Sequence, residues 1–354
     1  MKILIKDTFD DGLKKIWEEL ENKSTITIFQ KYQWNHHWYK YICNNDTKIS
    51  LKIFLIFQNN NLIAILPLYI KKNFTHRSLE WIGGLYSDYK GPIFKNSIEL
   101  SKEEFSYIWK KIIESSKGAD LLSLEQQLIG RENHYNPFTD FLPLMNLNQT
   151  FGVKIDEKWE NYYERKSSKT RQTIRRKIKK LEENGKLEFF VAEDINKKKK
   201  ILEWTIYQKK KQFQSTGARD IFKKNEIEFY IHLLDIHDYF HCSCIRQNGK
   251  IIASHVGIND KGNFLYLIPC YINNDNLKNF SPGQILQIYL LKWCYEKKIY
   301  YFDFTIGNEK YKMGWSNSIK KLASYYKPIS FLGIIIYYKI RIKIFIKKIL
   351  QNEE

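Results

Sequence analysis

Residues 165–180, RKSSKTRQTIRRKIKK, hold nine basic residues and no acidic one. On a helix, Arg171 and Arg175 lie one turn apart, with Lys179 a turn further. Like charges at that spacing repel, so the row predicts either a solvated basic face or a ligand that supplies negative charge. Ser167, Ser168 and Thr170 are placed to cap the helix or to contact phosphate. A second candidate is the loop Lys278 to Gln284, which precedes an apolar helical run, Ile285 to Trp293. Free N–H groups at such a helix start attract anions, and Gly283 permits close approach; Ser281-Pro282 is equally an ordinary helix start.

Two single residues stand out. His255 lies inside the apolar strand pattern Ile251 to Gly257. A lone strand histidine is more often a core residue than a base, yet imidazole is the side chain that titrates near neutrality. Asp303 lies among aromatics in Tyr300 to Phe304, and burying its carboxylate requires a partner. Tyr311, Lys312 and Trp315 follow closely, and Lys312 is a natural partner for Asp303. No metal site is expected: no histidine pair stands at ligand spacing with a carboxylate.

The elements that must position these residues form a repeated outline. In the first half, 53–57 and 62–69 read as a hairpin about the turn Gln58 to Asn61, followed by short strands at 78–81 and 91–94. A helix over 103–115 and a strand over 121–124 come next. The second half has a helical run over 156–184, a strand at 187–191, and helices over 199–213 and 224–235. A hairpin follows about Asn248-Gly249 (242–246 and 251–258), then a strand over 264–271, a helix from Ser281 to Lys297, and a last core strand at 300–304. Each half thus holds hairpin, strand, helix, strand, which suggests an internal duplication and an α+β (mixed α/β) fold.

The chain has 354 residues and a net charge of +19, with 43% hydrophobic and 16% aromatic residues, which excludes a disordered chain. The charge is uneven. Residues 1–150 hold 19 basic and 17 acidic groups, whereas 151–326 hold 33 and 20, so any anionic partner is expected in the second half. Five scattered cysteines without paired spacing and an N-terminus without a secretory apolar run imply a reduced, cytoplasmic setting. The longest apolar stretch, 329–338, is too short to span a bilayer. From 338 onward, lysines alternate with isoleucines in a basic amphipathic tail. It is read either as a helix at the inner face of a membrane or as an element packed on the domain, and the alternation over 339–344 also fits a strand.

The order of these features resembles the CelD/BcsL-type acetyltransferases, a branch of the GNAT superfamily related to the FemABX aminoacyltransferases. The resemblance rests on Arg171 and Arg175, the hairpin through Asn248-Gly249, His255-Val-Gly257, Ser281-Pro-Gly283, Phe302-Asp303 and Tyr311-Lys312 with Trp315. In the first half it rests on Phe29-Gln30, Trp34, 63–68 and Ser87-Asp88-Tyr89. It implies two tandem GNAT-like domains, 1–150 and 151–326, each a central mixed, largely antiparallel sheet flanked by helices, followed by the tail 327–354. It also implies an acyl-CoA co-substrate held by Lys278, Ser281, Gly283 and Gln284. The usual superfamily phosphate loop is absent, since this one has a single glycine. N-acyl transfer would use His255 as base, with Asp303 and Lys312 assisting. The acceptor, a nucleotide- or lipid-linked amino sugar, would meet Arg171, Arg175, Asp88, Tyr89, Tyr271, Tyr311 and Trp315. The alternatives are an aminoacyl-tRNA-dependent transferase, the one reading with a nucleic-acid partner, and a non-catalytic anion-binding module.

Overall fold

The structure is a computed structural model and describes residues 1–43, 46–129, 135–217, 220–236, 238–273, 277, 279–307 and 309–352. The chain forms two compact units, Met1–Gln149 with Lys320–Glu354, and Thr150–Ile319.

In the first unit the strands are β1 (Lys2–Lys6), β2 (Ile49–Gln58), β3 (Asn61–Lys72), β4 (Arg77–Trp81), β5 (Ile93–Phe94) and β6 (Leu121–Ile129). The order is β1-β2-β3-β4-β6, with β5 on β3. The helices are α1 (Asp11–Glu21), α2 (Tyr32–His37), α3 (Lys102–Ser115) and α4 (Pro137–Phe141). Hairpin β2–β3 closes through Asn59 and Asn60, both at positive φ (49° and 63°), the two-residue geometry that asparagine tolerates. Helix α3 presents Phe105, Ile108 and Ile112, at helical spacing, to a core with Trp81, Leu122 and Phe138.

The second unit begins within β7 (Asn146–Lys154) and adds α5 (Trp159–Glu164), α6 (Ser168–Glu183), β8 (Leu187–Val191), α7 (Ile195–Thr216) and α8 (Lys224–Ile236). There follow β9 (Phe240–Gln247), β10 (Lys250–Asp260), β11 (Asn263–Tyr271), α9 (Pro282–Glu296), β12 (Tyr301–Ile306) and α10 (Lys310–Trp315). The sheet order is β7-β12-β11-β10-β9-β8, and of its neighbouring pairs β11–β12 is parallel and the others antiparallel. Asn248-Gly249 and Lys261-Gly262 turn the two hairpins at positive φ. α9 is apolar on most sides and buries Ile285, Leu286, Leu290 and Leu291 in the core with Phe264, Tyr266 and Phe302.

The structure departs from the sequence reading in three places. The helical run expected over 156–184 is two helices, because Ser167 starts a new one by accepting from the Thr170 N–H. The strand at 301–306 is not the last. β13 (Ser318–Pro328) follows and pairs antiparallel with β6 from Lys321↔Ile129 to Pro328↔Leu121. That pairing returns Lys320–Glu354 to the first unit, where the sequence reading drew a domain end at 326. For the tail, the helix reading holds over the strand alternative: it is α11 (Phe331–Asn352), its alternation running for only six residues while its apolar positions also recur at helical spacing. No described helix is long and apolar enough to cross a membrane.

Candidate active site

β11 and β12 lie side by side for three pairs only: Asn263↔Tyr301, Phe264↔Phe302 and Leu265↔Asp303. Beyond Leu265, β11 stays paired with β10 as far as Ala253↔Tyr271, while β12 turns away, so the two parallel strands open into a V. The turn has a local cause. Thr305 sits at φ +59°, strained for a β-branched residue, and the Asp303 carboxylate holds it by accepting its N–H at 2.8 Å. The pairing of β12 with β7 shifts register at the same point, between Asp303 and Ile306. Thr305 Oγ1 donates to the first carbonyl exposed by the split, that of Tyr266, at 3.4 Å. The remaining edge of β11 offers peptide groups that suit an extended, amide-bearing ligand.

At the mouth of the V lies the start of α9. Ser281 is in the left-handed region (φ +50°), Pro282 opens the helix, and Gly283 lies where a Cβ would sit 3.1 Å from the Tyr271 ring. The first turn carries no acidic residue and no side chain caps it. Lys177 of α6 reaches across, its ammonium donating to Ser281 Oγ at 2.9 Å and Gln284 Oε1 at 3.0 Å. The Gln284 and Ile285 N–H groups donate to the Ser281 carbonyl, which leaves the Gly283 N–H, the Ser281 hydroxyl and the Lys177 ammonium at one helix start to meet an anion. Partial burial and Arg176 lower the Lys177 pKa.

The end of β12, beyond the split, is charged. Lys312 is only 4% exposed; its ammonium pairs with Glu309 at 2.9 Å and donates to the Ile306 carbonyl at 2.7 Å. Gly307, at φ +130°, underlies that pair, and a Cβ there would collide with both side chains. From α7, Gln212 donates to the Tyr271 carbonyl at 2.8 Å. Lys209, also on α7, has its pKa lowered by burial, against the opposing effects of Cys270 and Glu309. Tyr311 is 39% exposed, its phenol pushed up to about 12 by burial and then by Glu309.

Of the residues expected from sequence, Ser281, Gly283, Gln284, Tyr271, Tyr311, Lys312 and Asp303 gather along this cleft. His255 does not present itself to it. It is 0% exposed, stacked on Tyr266 at 4.6 Å, and neither ring nitrogen has a hydrogen-bond partner. Burial, helped by His241, holds its pKa well below 6.5, so it is a neutral core imidazole in this conformation. Trp315 is also a core residue, 3% exposed, its carbonyl accepting from the buried Tyr162 hydroxyl. Asp88 and Tyr89 belong to the first unit, where Tyr89 is buried edge-on to Phe29. Lys278 lies outside the described residues.

Arg171 and Arg175 are on α6, but its inward face is Ile174, Ile178 and Leu181. At 100° per residue, the arginines lie roughly 120° and 160° around the axis from Lys177. Arg171 donates to the Glu164 carbonyl at 3.1 Å, and Arg175 is exposed. The cation of this helix that faces α9 is Lys177, which the sequence did not single out: the apolar positions, not the count of charges, decide which cation faces α9. Lys209 and Glu309 were missed because their setting depends on the split of two strands distant in sequence.

In this geometry two parallel strands part beside a helix start that no side chain caps. Residues 168–313 match the family model of the acetyltransferase (GNAT) domain. The match lies within the second unit and covers less than half of the chain. Among solved structures, the whole chain is similar to FemX, with a TM-score of 0.59 at 9% identity, covering 91% of this chain and 97% of that one. It is likewise similar to a conserved protein of unknown function from Bacteroides thetaiotaomicron VPI-5482, with a TM-score of 0.53 at 12% identity, covering 91% and 99%. No curated protein matches the sequence. The chain thus shares the fold of these structures, and the same hairpin, strand, helix, strand order stands in both of its units.

Proposed function

We propose that the protein is an N-acyltransferase of the CelD/BcsL type that moves an acyl group from acyl-CoA to an amine. The carrying observation is the pairing of the open V with the uncapped start of α9, where Lys177, Ser281 and Gln284 converge. The donor's pyrophosphate would rest on that helix start, and its amide-bearing arm would lie along the unpaired edge of β11. A neutral amine attacks the thioester carbonyl, the C–N bond forms, the C–S bond breaks, and the thiol leaves protonated. Glu309 replaces His255 as the group suited to take the ammonium proton, because its side chain is 54% exposed at the end of β12, beyond the split. Asp303 shapes the strand, and Lys312 holds Glu309 in place. The acceptor carries phosphate and an amino sugar, on a nucleotide or a lipid, and the Arg171–Arg175 flank recognises its phosphate.

The test is thiol release from acetyl-CoA in the presence of a panel of amino sugars and nucleotide-linked amino sugars. Acceptor-dependent release of free CoA supports the reading, and CoA binding without turnover on any amine points to the non-catalytic alternative. The basic run 165–180 favours one rival, transfer from aminoacyl-tRNA. In that case the donor affinity falls steeply with salt and acetyl-CoA is inert.

A further inference from the structure

Helix α11 leaves the first unit with an apolar face that nothing among the described residues covers. Its first turn is anchored. Ile329 N–H donates to the Asp120 carbonyl at 2.8 Å, the Ser330 hydroxyl donates to the Asp120 carboxylate at 2.6 Å, and Gly333 packs so closely on the Asp120 backbone that no Cβ fits. The inward side of the helix is Gly333, Ile336, Tyr337, Ile340 and Ile344. On the opposite side, Phe331, Ile335, Tyr338, Ile342, Phe345 and Ile349 are all exposed, Phe345 at 65%. At 100° per residue they fall within about 40° either side of one line, over a helix roughly 30 Å long. Lys339 and Lys343 flank this stripe on one side and Arg341 on the other, all exposed, and residues 331–350 contain no acid. The β3–β4 turn adds a fully exposed Phe74 between Lys72 and Arg77. A cavity of about 500 Å³ lined by Phe74, Arg77, Asp120 and Ser330 places that turn beside the start of α11.

We propose that this face docks on an anionic lipid bilayer, with the apolar stripe and Phe74 entering the interfacial layer and the flanking cations meeting headgroup phosphates. Charge selects the occupant. A second copy of the chain would bring Lys339, Lys343 and Arg341 against their own like, whereas an anionic surface neutralises them, and an apolar stripe with cationic flanks is the form of an interfacial helix. The inference does not depend on the transfer reaction.

Flotation of the full chain with vesicles tests it. The chain should rise with vesicles of phosphatidylcholine and phosphatidylglycerol, and far less with phosphatidylcholine alone. Phe345→Asp should abolish flotation, and Lys339→Gln with Lys343→Gln should weaken it about 25-fold, or about fivefold per cation. All three substitutions are at exposed positions, so melting temperatures should match the parent's. A parent that stays at the bottom with anionic vesicles overturns the proposal, as do variants that float as well as the parent. A parent that is dimeric without lipid, is made monomeric by Phe345→Asp and does not float also overturns it, in favour of self-association.

Discussion

The two units repeat one topology and put it to opposite use. In the first, β4 and β6 run parallel for three pairs, Ser78↔Leu121 to Glu80↔Ser123, as β11 and β12 do in the second. There the chain fills its own V. Lys90 bridges to Gln127, its N–H donates to the Gln126 carbonyl at 2.9 Å, and its ammonium feels Glu125, Glu80 and Asp88. Tyr69 and Tyr326 donate to Glu80 and Glu125, each at 2.9 Å. The helix that follows is closed as well. Ser101 accepts from the Glu104 N–H, Glu104 accepts from the Ser101 N–H, and Glu103 lies in the same first turn. A helix start occupied by its own carboxylate has little to offer an anion, whereas α9 has no acid, no cap and a lysine reaching over it. What distinguishes the second unit is therefore which side chains occupy the split and the helix start, not the fold.

The largest break in this comparison is expected at the carboxylates. Glu309→Gln should lower kcat by roughly 10²-fold or more with the donor KM nearly unchanged. Glu104→Gln, in the corresponding region of the first unit, should leave kcat intact. Steady-state kinetics on both variants would show the asymmetry, and equal activities would remove Glu309 from the reaction.

Buried imidazoles make the stability of both units depend on pH; in the first, burial and then His37 hold His36 at about 4. His241 is held at about 3 and His255 well below 6.5, in both cases chiefly by burial. Their folded pKa values are depressed, so the unfolded state binds protons first as pH falls below 6.5, and stability present above that value is lost on acidification. Between pH 7.5 and 5.5 each should cost about 1.4 kcal/mol. Denaturant titrations across that range should show the fall, and His255→Phe should remove its share without lowering kcat. A large loss of kcat in that variant would restore the histidine as base.

A smaller effect is expected on α6. Arg171→Gln with Arg175→Gln should raise the acceptor KM several-fold and leave the donor KM unchanged, because these side chains lie on the flank away from α9. Competition kinetics decide this, and a donor KM that rises instead would favour the aminoacyl-tRNA reading. Smallest is Ser101→Ala, which should cost about 1 kcal/mol of stability by removing a cap, with no change in donor binding.

The hairpins, α3 and α9 were legible in sequence because each depends on local signals: Asn59-Asn60 and Asn248-Gly249 permit the turns, and apolar residues at helical spacing define the faces. β13 was not, because Lys321 to Pro328 find their partner in β6, almost two hundred residues earlier. The helix start at Ser281 to Gln284 was legible for the same local reason. His255 misled because a strand places successive residues on opposite faces without saying which face is closed. Here Tyr266 stacks on it and α9 lies over that strand. Lys177 was hidden in a run of nine cations until the positions of Ile174, Ile178 and Leu181 fixed the rotation of the helix.

Titration calorimetry with free CoA on the parent, Lys177→Gln and Ser101→Ala proteins tests the central claim most directly. The account predicts one CoA bound per chain, an affinity at least 10-fold weaker in Lys177→Gln from loss of a charge-assisted contact, and parental affinity in Ser101→Ala. CoA that fails to bind, or that binds Lys177→Gln as tightly as the parent, would contradict it.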